Sequence, residues 1–77
     1  MKILLAQEFF TDYELYETSD PELLKHKIAL ALMGHDVDIK PAVILGTQDD
    51  LTTEEAEQQA DEIIFLSDIA EKIEQYR

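Results

Sequence analysis

Hydrophobic and polar residues along this chain change period several times, and each change marks an element. Ile3-Leu4-Leu5-Ala6 is a continuous apolar run of strand length, with room to run on to Phe10. Thr11-Asp12 reads as a turn. Tyr13 and Leu15 then alternate with Glu14 and Glu17, which predicts a half-exposed second strand and a hairpin with the first. Ser19-Asp20-Pro21-Glu22 is a helix start: the Asp20 carboxylate can accept a free first-turn amide, and Pro21 suits the first helical position. Leu24, Ile28, Ala31 and Leu32 follow at helical spacing, widened by Leu23, Leu30 and Met33 into a surface expected to be covered on two sides. Gly34 is placed to end that helix.

Beyond it, Val37 and Ile39 alternate with Asp36, Asp38 and Lys40, but Pro41 interrupts any ladder. Ala42-Val43-Ile44-Leu45 predicts a second buried strand, closed by the loop Gly46–Asp50. Thr52 or Thr53 caps a further helix with Glu54, Glu55 and Glu57 in its first turns. Two readings then compete. In the favoured one, a single helix runs from about Thr53 to Tyr76, with Ala56, Gln59, Ala60, Ile63, Leu66, Ala70 and Ile73 on one face and Glu54, Glu57, Asp61 and Asp68 opposite. In the other, residues 62–67 form a buried strand between two short helices. Either way the fold class is α+β. The favoured order is strand or hairpin, helix, strand and a long acidic C-terminal helix, with two helices on one face of a two- or three-stranded sheet.

Size and charge narrow the functional classes. The 77 residues make one small domain, without an apolar stretch long enough to span a bilayer, and the expected location is cytoplasmic. Eighteen acids against six Lys and Arg give −12, which excludes binding a phosphate backbone through a basic surface and disfavours docking on anionic lipid. Absence of cysteine excludes disulfide scaffolds and thiolate zinc sites. His26 and His35, nine residues apart, match no zinc spacing, and Asp49-Asp50 lacks the terminal bidentate Glu of an EF-hand loop. Ser19 and Ser67 sit in no nucleophile elbow, and two glycines cannot make a phosphate loop. No enzyme, cofactor or metal is expected.

One stretch resembles a known family. Gly46-Thr47-Gln48-Asp49-Asp50-Leu51-Thr52, then an acidic helix, then Ile63-Ile64-Phe65-Leu66-Ser67-Asp68-Ile69 resembles the second half of fructose-type phosphotransferase IIB domains, over roughly residues 42–69. That family carries phosphate on a cysteine just after its first strand. Here Gln7, Glu8 and Phe9 follow the first strand, so the resemblance carries no catalytic group and implies no phosphoryl transfer.

Charge distribution carries the functional expectation. Residues 47–77 hold ten acids against Lys72 and Arg77, and no Lys or Arg falls between Lys40 and Lys72. The acids from Asp49 to Glu62 therefore lack cationic partners at helical spacing, and self-repulsion opposes the compact state. On a single helix, Glu54, Glu55, Glu57, Asp61, Glu62 and Asp68 would span about 21 Å, roughly the charge spacing of a nucleic-acid strand at about one per 3.5–4 Å, with Glu54, Glu57, Asp61 and Asp68 sharing one face as a ridge. Asp49 and Asp50 would extend it, and Phe65 and Ile69 would lie beside it as an apolar anchor or homodimer seam. The leading expectation is a non-catalytic inhibitor that mimics nucleic acid on a basic surface of a partner protein. Phage or mobile-element anti-restriction and anti-CRISPR proteins are such a class. The alternative is a structural or regulatory homo-oligomer whose acid serves solubility.

Overall fold

The computed structural model describes residues 1–76, which form a four-stranded mixed sheet with three α-helices. The strands are β1 (Lys2–Ala6), β2 (Tyr13–Glu17), β3 (Val43–Thr47) and β4 (Glu62–Phe65), in spatial order β3-β2-β1-β4. The helices are α1 (Pro21–Leu32), α2 (Thr53–Gln59) and α3 (Leu66–Glu71). β1 pairs antiparallel with β2 and parallel with β4, while β2 pairs antiparallel with β3. Strands β1, β3 and β4 therefore point the same way, and their carboxyl ends share one end of the sheet.

The hairpin forms as the alternation predicts, Ile3 facing Tyr16 and Leu5 facing Glu14. β1 does not run on to Phe10. It stops at Ala6, and Glu8–Phe10 make a 3-10 turn. α1 begins and ends on its predicted signals. The Asp20 carboxylate accepts the Leu23 N–H at 3.1 Å, with Pro21 at the start of the helix. At the other end Gly34 takes φ 91°, and the Gly34 and His35 amides bond the Ala31 and Leu30 carbonyls in a Schellman closure. The helix is covered on one side, with Leu24, Ile28 and Ala29 buried but Leu23 and Leu32 exposed. Residues 35–39 form no strand, although Ile39 packs against the core.

β3 also departs from expectation. It forms, but as the sheet's edge, and only Ala42, which precedes it, and Gly46 are buried. Val43, Ile44 and Leu45 are exposed, and an irregularity in the β2 register falls at Leu45.

The long C-terminal helix does not exist. The chain leaves helical geometry at Ala60 (φ −75°, ψ 134°), and Glu62–Phe65 enter the sheet beside β1. Ile63, Ile64 and Phe65 are β-branched or aromatic and favour a pleated, packed surface over a helix. Pairing with β1 is the tertiary gain that outweighs helix continuation. The apparent stripe over five turns joins residues that the fold sends to opposite faces of the sheet. Ile3, Leu5, Tyr16, Leu24, Ile28, Ala29, Ala42, Ile64 and Ile69 form one core, under α1 and α3. Leu4, Ala6, Tyr13, Leu15 and Ala56 form the other, closed by α2 with Phe10, Leu51, Ala60 and Phe65. Helices thus cover both faces, not one. Alternate residues of β1 serve alternate cores, which is why this strand reads as continuously apolar.

Candidate functional site

The carboxyl ends of β1, β3 and β4 carry three connections: residues 7–12, residues 48–52, and the junction into α3. Open α/β sheets bind ligands outside the carboxyl ends of their parallel strands. In this chain its composition is one-sided. Glu8 and Asp12 stand on the first loop, Asp49 and Asp50 on the second, Glu54 in the first turn of α2 and Asp68 in the first turn of α3. All six are exposed.

Among the described residues, the cations lie toward the other end. Lys2 starts β1, and Lys40 sits just before β3. The Lys27 ammonium bonds the Lys40 carbonyl. The Lys25 ammonium is held between Glu22 and Glu62, 3.2 Å from each. Lys72 shares a surface hollow with Lys25, Glu62 and Asp68, so Asp68 stands at the border between the acidic end and these lysines. Burial of Lys25 pulls its pKa down, but the hydrogen bonds and charges of Glu62 and Glu22 outweigh this and raise it above the ordinary lysine value. The amino terminus pairs with Glu17 at 2.9 Å. The ion pairs found among the described residues thus all lie at the cationic end.

Phe9 is the most unusual residue of the acidic end. Its side chain is 91% exposed, and its backbone is left-handed (φ 63°, ψ 13°). Phe10, next to it, is also left-handed at φ 54°. Two consecutive non-glycine residues at positive φ are uncommon and costly. The geometry turns the two rings apart. Phe10 goes inward, edge-on to Phe65 at 5.6 Å and to Tyr13 at 6.4 Å, while Phe9 goes out to solvent. Glu8, Phe9, Phe10, Phe65, Ser67 and Asp68 line a shallow hollow between the β1 loop and the start of α3.

The loops around it are held by local polar contacts. Asp50 accepts from the Thr47 amide at 3.0 Å, and the Gln48 side chain links to Asp12 at 3.1 Å and to the Tyr13 amide at 3.3 Å. The Tyr13 hydroxyl bonds the Leu51 carbonyl. Thr52 and Glu55 form a reciprocal capping box at the start of α2. The sheet beneath is polar at one buried point, where the Tyr16 hydroxyl donates to the Glu14 carboxylate. Burial first, then that hydrogen bond and the Glu14 charge, push the Tyr16 phenol well above the usual tyrosine pKa.

The residues expected to bind a partner do not assemble as one ridge. Glu54 and Glu57 stand on α2, over one face of the sheet, and Asp68 stands on α3, over the other. Asp61 lies at the opposite end, where its carboxylate accepts the Lys2 amide at 2.8 Å and its own amide bonds the Lys2 carbonyl. It clamps β4 to β1. Phe65 packs in one core and Ile69, 3% exposed, in the other, so they form no seam. What the fold does bring to one end is Asp49, Asp50, Glu54 and Asp68, joined by Glu8 and Asp12. Sequence reasoning missed Phe9 because an apolar run ahead of a turn reads as more strand. Nothing in residue type announces a positive φ at Phe. No family model, curated protein or solved structure matches the chain.

Proposed function

We propose that this chain is a non-catalytic interaction protein whose acidic end docks on a basic surface of another protein, with Phe9 as the apolar anchor. The observation that carries this reading is Phe9, 91% exposed on a backbone that costs stability to hold it there. An aromatic side chain supplies much contact area for little entropy, and such residues dominate binding energy when a partner pocket desolvates them. Glu8 and Asp68 flank it, so the complementary pocket is apolar with a cationic rim.

The charge acts by steering. With a net −12 and Lys2, Lys25, Lys27 and Lys40 toward the far end, the molecule has a strong charge asymmetry, and a basic partner draws the acidic end forward. Mimicry by regular charge spacing has no continuous helix to rest on. Competition with DNA or RNA for the same basic surface, as an anti-restriction or anti-CRISPR inhibitor requires, is the narrower form of the proposal.

A photoreactive phenylalanine analogue at position 9 tests it, with the same group at Leu23 as the control, since Leu23 is apolar, exposed and at the other end. In native cells position 9 should give a discrete adduct with a basic protein. Glu8→Lys with Asp68→Lys, or high salt, should abolish it. No adduct, an acidic adduct protein, or the same adduct from position 23 would overturn the proposal. Loss of the adduct on adding DNA or RNA would support the narrower form, and indifference to both would remove it.

A further inference from the structure

The free edge of β3 is an unprotected strand. Natural sheets blunt such edges with charged side chains, proline within the strand or a covering element. Here Val43, Ile44 and Leu45 are 54%, 50% and 46% exposed, and residues 41–48 carry no charge in a chain of −12. The irregularity at Leu45 is the one protective device, and it leaves Val43 and Ile44 in ladder positions against Glu17 and Tyr16. Such a strand can extend its sheet by pairing with another.

The charges at its two ends select the occupant. Lys40 lies just before the strand and Asp49-Asp50 just after it, all exposed, and no ion pair engages Lys40 among the described residues. If two copies pair antiparallel about a twofold axis near Ile44 and Leu45, Lys40, in the turn before the strand, comes to the same rim as Asp49 and Asp50, in the turn after it, of the other copy. Neutral apolar residues fill the middle. A parallel pair would set Lys40 on Lys40 and acid on acid. Antiparallel pairing also points the two acidic ends in opposite directions, which separates the largest like charges. A foreign acidic or basic strand would satisfy one end only.

We infer that this chain forms a twofold dimer through antiparallel pairing of β3 with β3 of a second copy, making one continuous eight-stranded sheet with Lys40 and Asp49-Asp50 paired at both rims. The inference is independent of the Phe9 hollow, which stays free in both copies, and of the acidic end it engages only Asp49 and Asp50.

Sedimentation of the intact chain at moderate salt and sub-millimolar concentration should give a two-chain mass. Ile44→Lys should weaken the dimer by more than about tenfold. Ile44 is half-exposed, so the variant should keep the circular dichroism and melt of a folded domain. Lys40→Asp alone, and Asp49→Lys with Asp50→Lys alone, should each weaken association several-fold. All three changes together should restore it, because the same pairs re-form with signs exchanged. A single-chain mass throughout, an assembly larger than two, a dimer indifferent to Ile44→Lys, or a charge exchange that fails to restore association would each overturn the inference.

Discussion

Replacing Phe9 with glycine should make this protein more stable while disabling it. A left-handed backbone costs an L-residue about 1–2 kcal/mol, and Phe9 occupies that region at φ 63°. Glycine removes the cost but adds unfolded-state entropy of roughly 0.5–1 kcal/mol, so the net gain is about 0.5–1 kcal/mol. For a domain of this size that is a rise in Tm of roughly 2–8 °C. Loss of the ring should offset little of it, because the side chain is 91% exposed and buries almost no apolar area. Phe9→Ala is the internal control. It deletes the same ring but keeps a Cβ, so it should melt close to wild type. The difference between glycine and alanine then isolates the backbone term. Thermal unfolding followed by circular dichroism gives all three values, and crosslinking through an analogue at Glu8 reports docking in both variants. If Phe9→Ala lost several kcal/mol, Phe9 would be a core residue and the anchor reading would be refuted. If Phe9→Gly melted no higher than Phe9→Ala, the backbone would not be strained there.

Two further predictions concern groups that sequence reasoning placed elsewhere or passed over. Asp61→Ala should cost about 1 kcal/mol, the worth of an exposed charge-assisted hydrogen bond, and lower Tm by about 4–8 °C without affecting docking. Asp61→Asn, which keeps an acceptor for the Lys2 amide, should recover part of that loss in the same melt. The raised pKa of Tyr16 means that the folded state holds its phenolic proton more tightly than the unfolded chain does. Its contribution is therefore complete below about pH 10 and is lost as pH rises further. Lys25, also raised, adds a slope of the same sign. Alkaline unfolding curves should steepen above that pH, and Tyr16→Phe should flatten part of the slope.

Local signals were legible where a few neighbouring residues decide the outcome. Asp20-Pro21 and Gly34 bound α1 at the predicted places, because a cap and a left-handed closure need only one side chain and one backbone geometry. The β1–β2 hairpin follows from alternation over a short loop. The C-terminal third was not legible in that way. Ala56, Ala60, Ile63, Leu66, Ala70 and Ile73 satisfy a helical period, yet the same letters satisfy helix, strand, helix once β1 offers an open edge. Periodicity carries no information about that edge. β3 was misplaced for a related reason: an uncharged apolar run predicts a buried strand, and here it marks an edge that is bare in the monomer. The candidate site was half legible. Asp49, Asp50, Glu54 and Asp68 were identified as exposed acid, but their gathering with Glu8 and Asp12 is a consequence of three strands pointing the same way.

That common direction also settles which part of the charge matters. Counting residues assigns most of the negative field to the last third of the chain, and a single helix would have kept it there as a line. The fold redistributes it by strand end. Acids that follow β1 and β3 collect where no lysine follows, Asp68 after β4 shares a hollow with Lys25 and Lys72, and Glu22, Glu62 and Glu17 are held with cations at the other end. Asp61 is spent on the Lys2 amide. Neutralising equal numbers of acids at the two ends must therefore have different effects. Changes at Glu8, Asp12 and Glu54 relieve repulsion without breaking an ion pair, whereas changes at Glu17 and Glu62 break ion pairs that help to anchor the sheet. An end that concentrates like charge beside an exposed Phe, with lysines near it only at the Asp68 border, fits the proposed docking on a partner's cations.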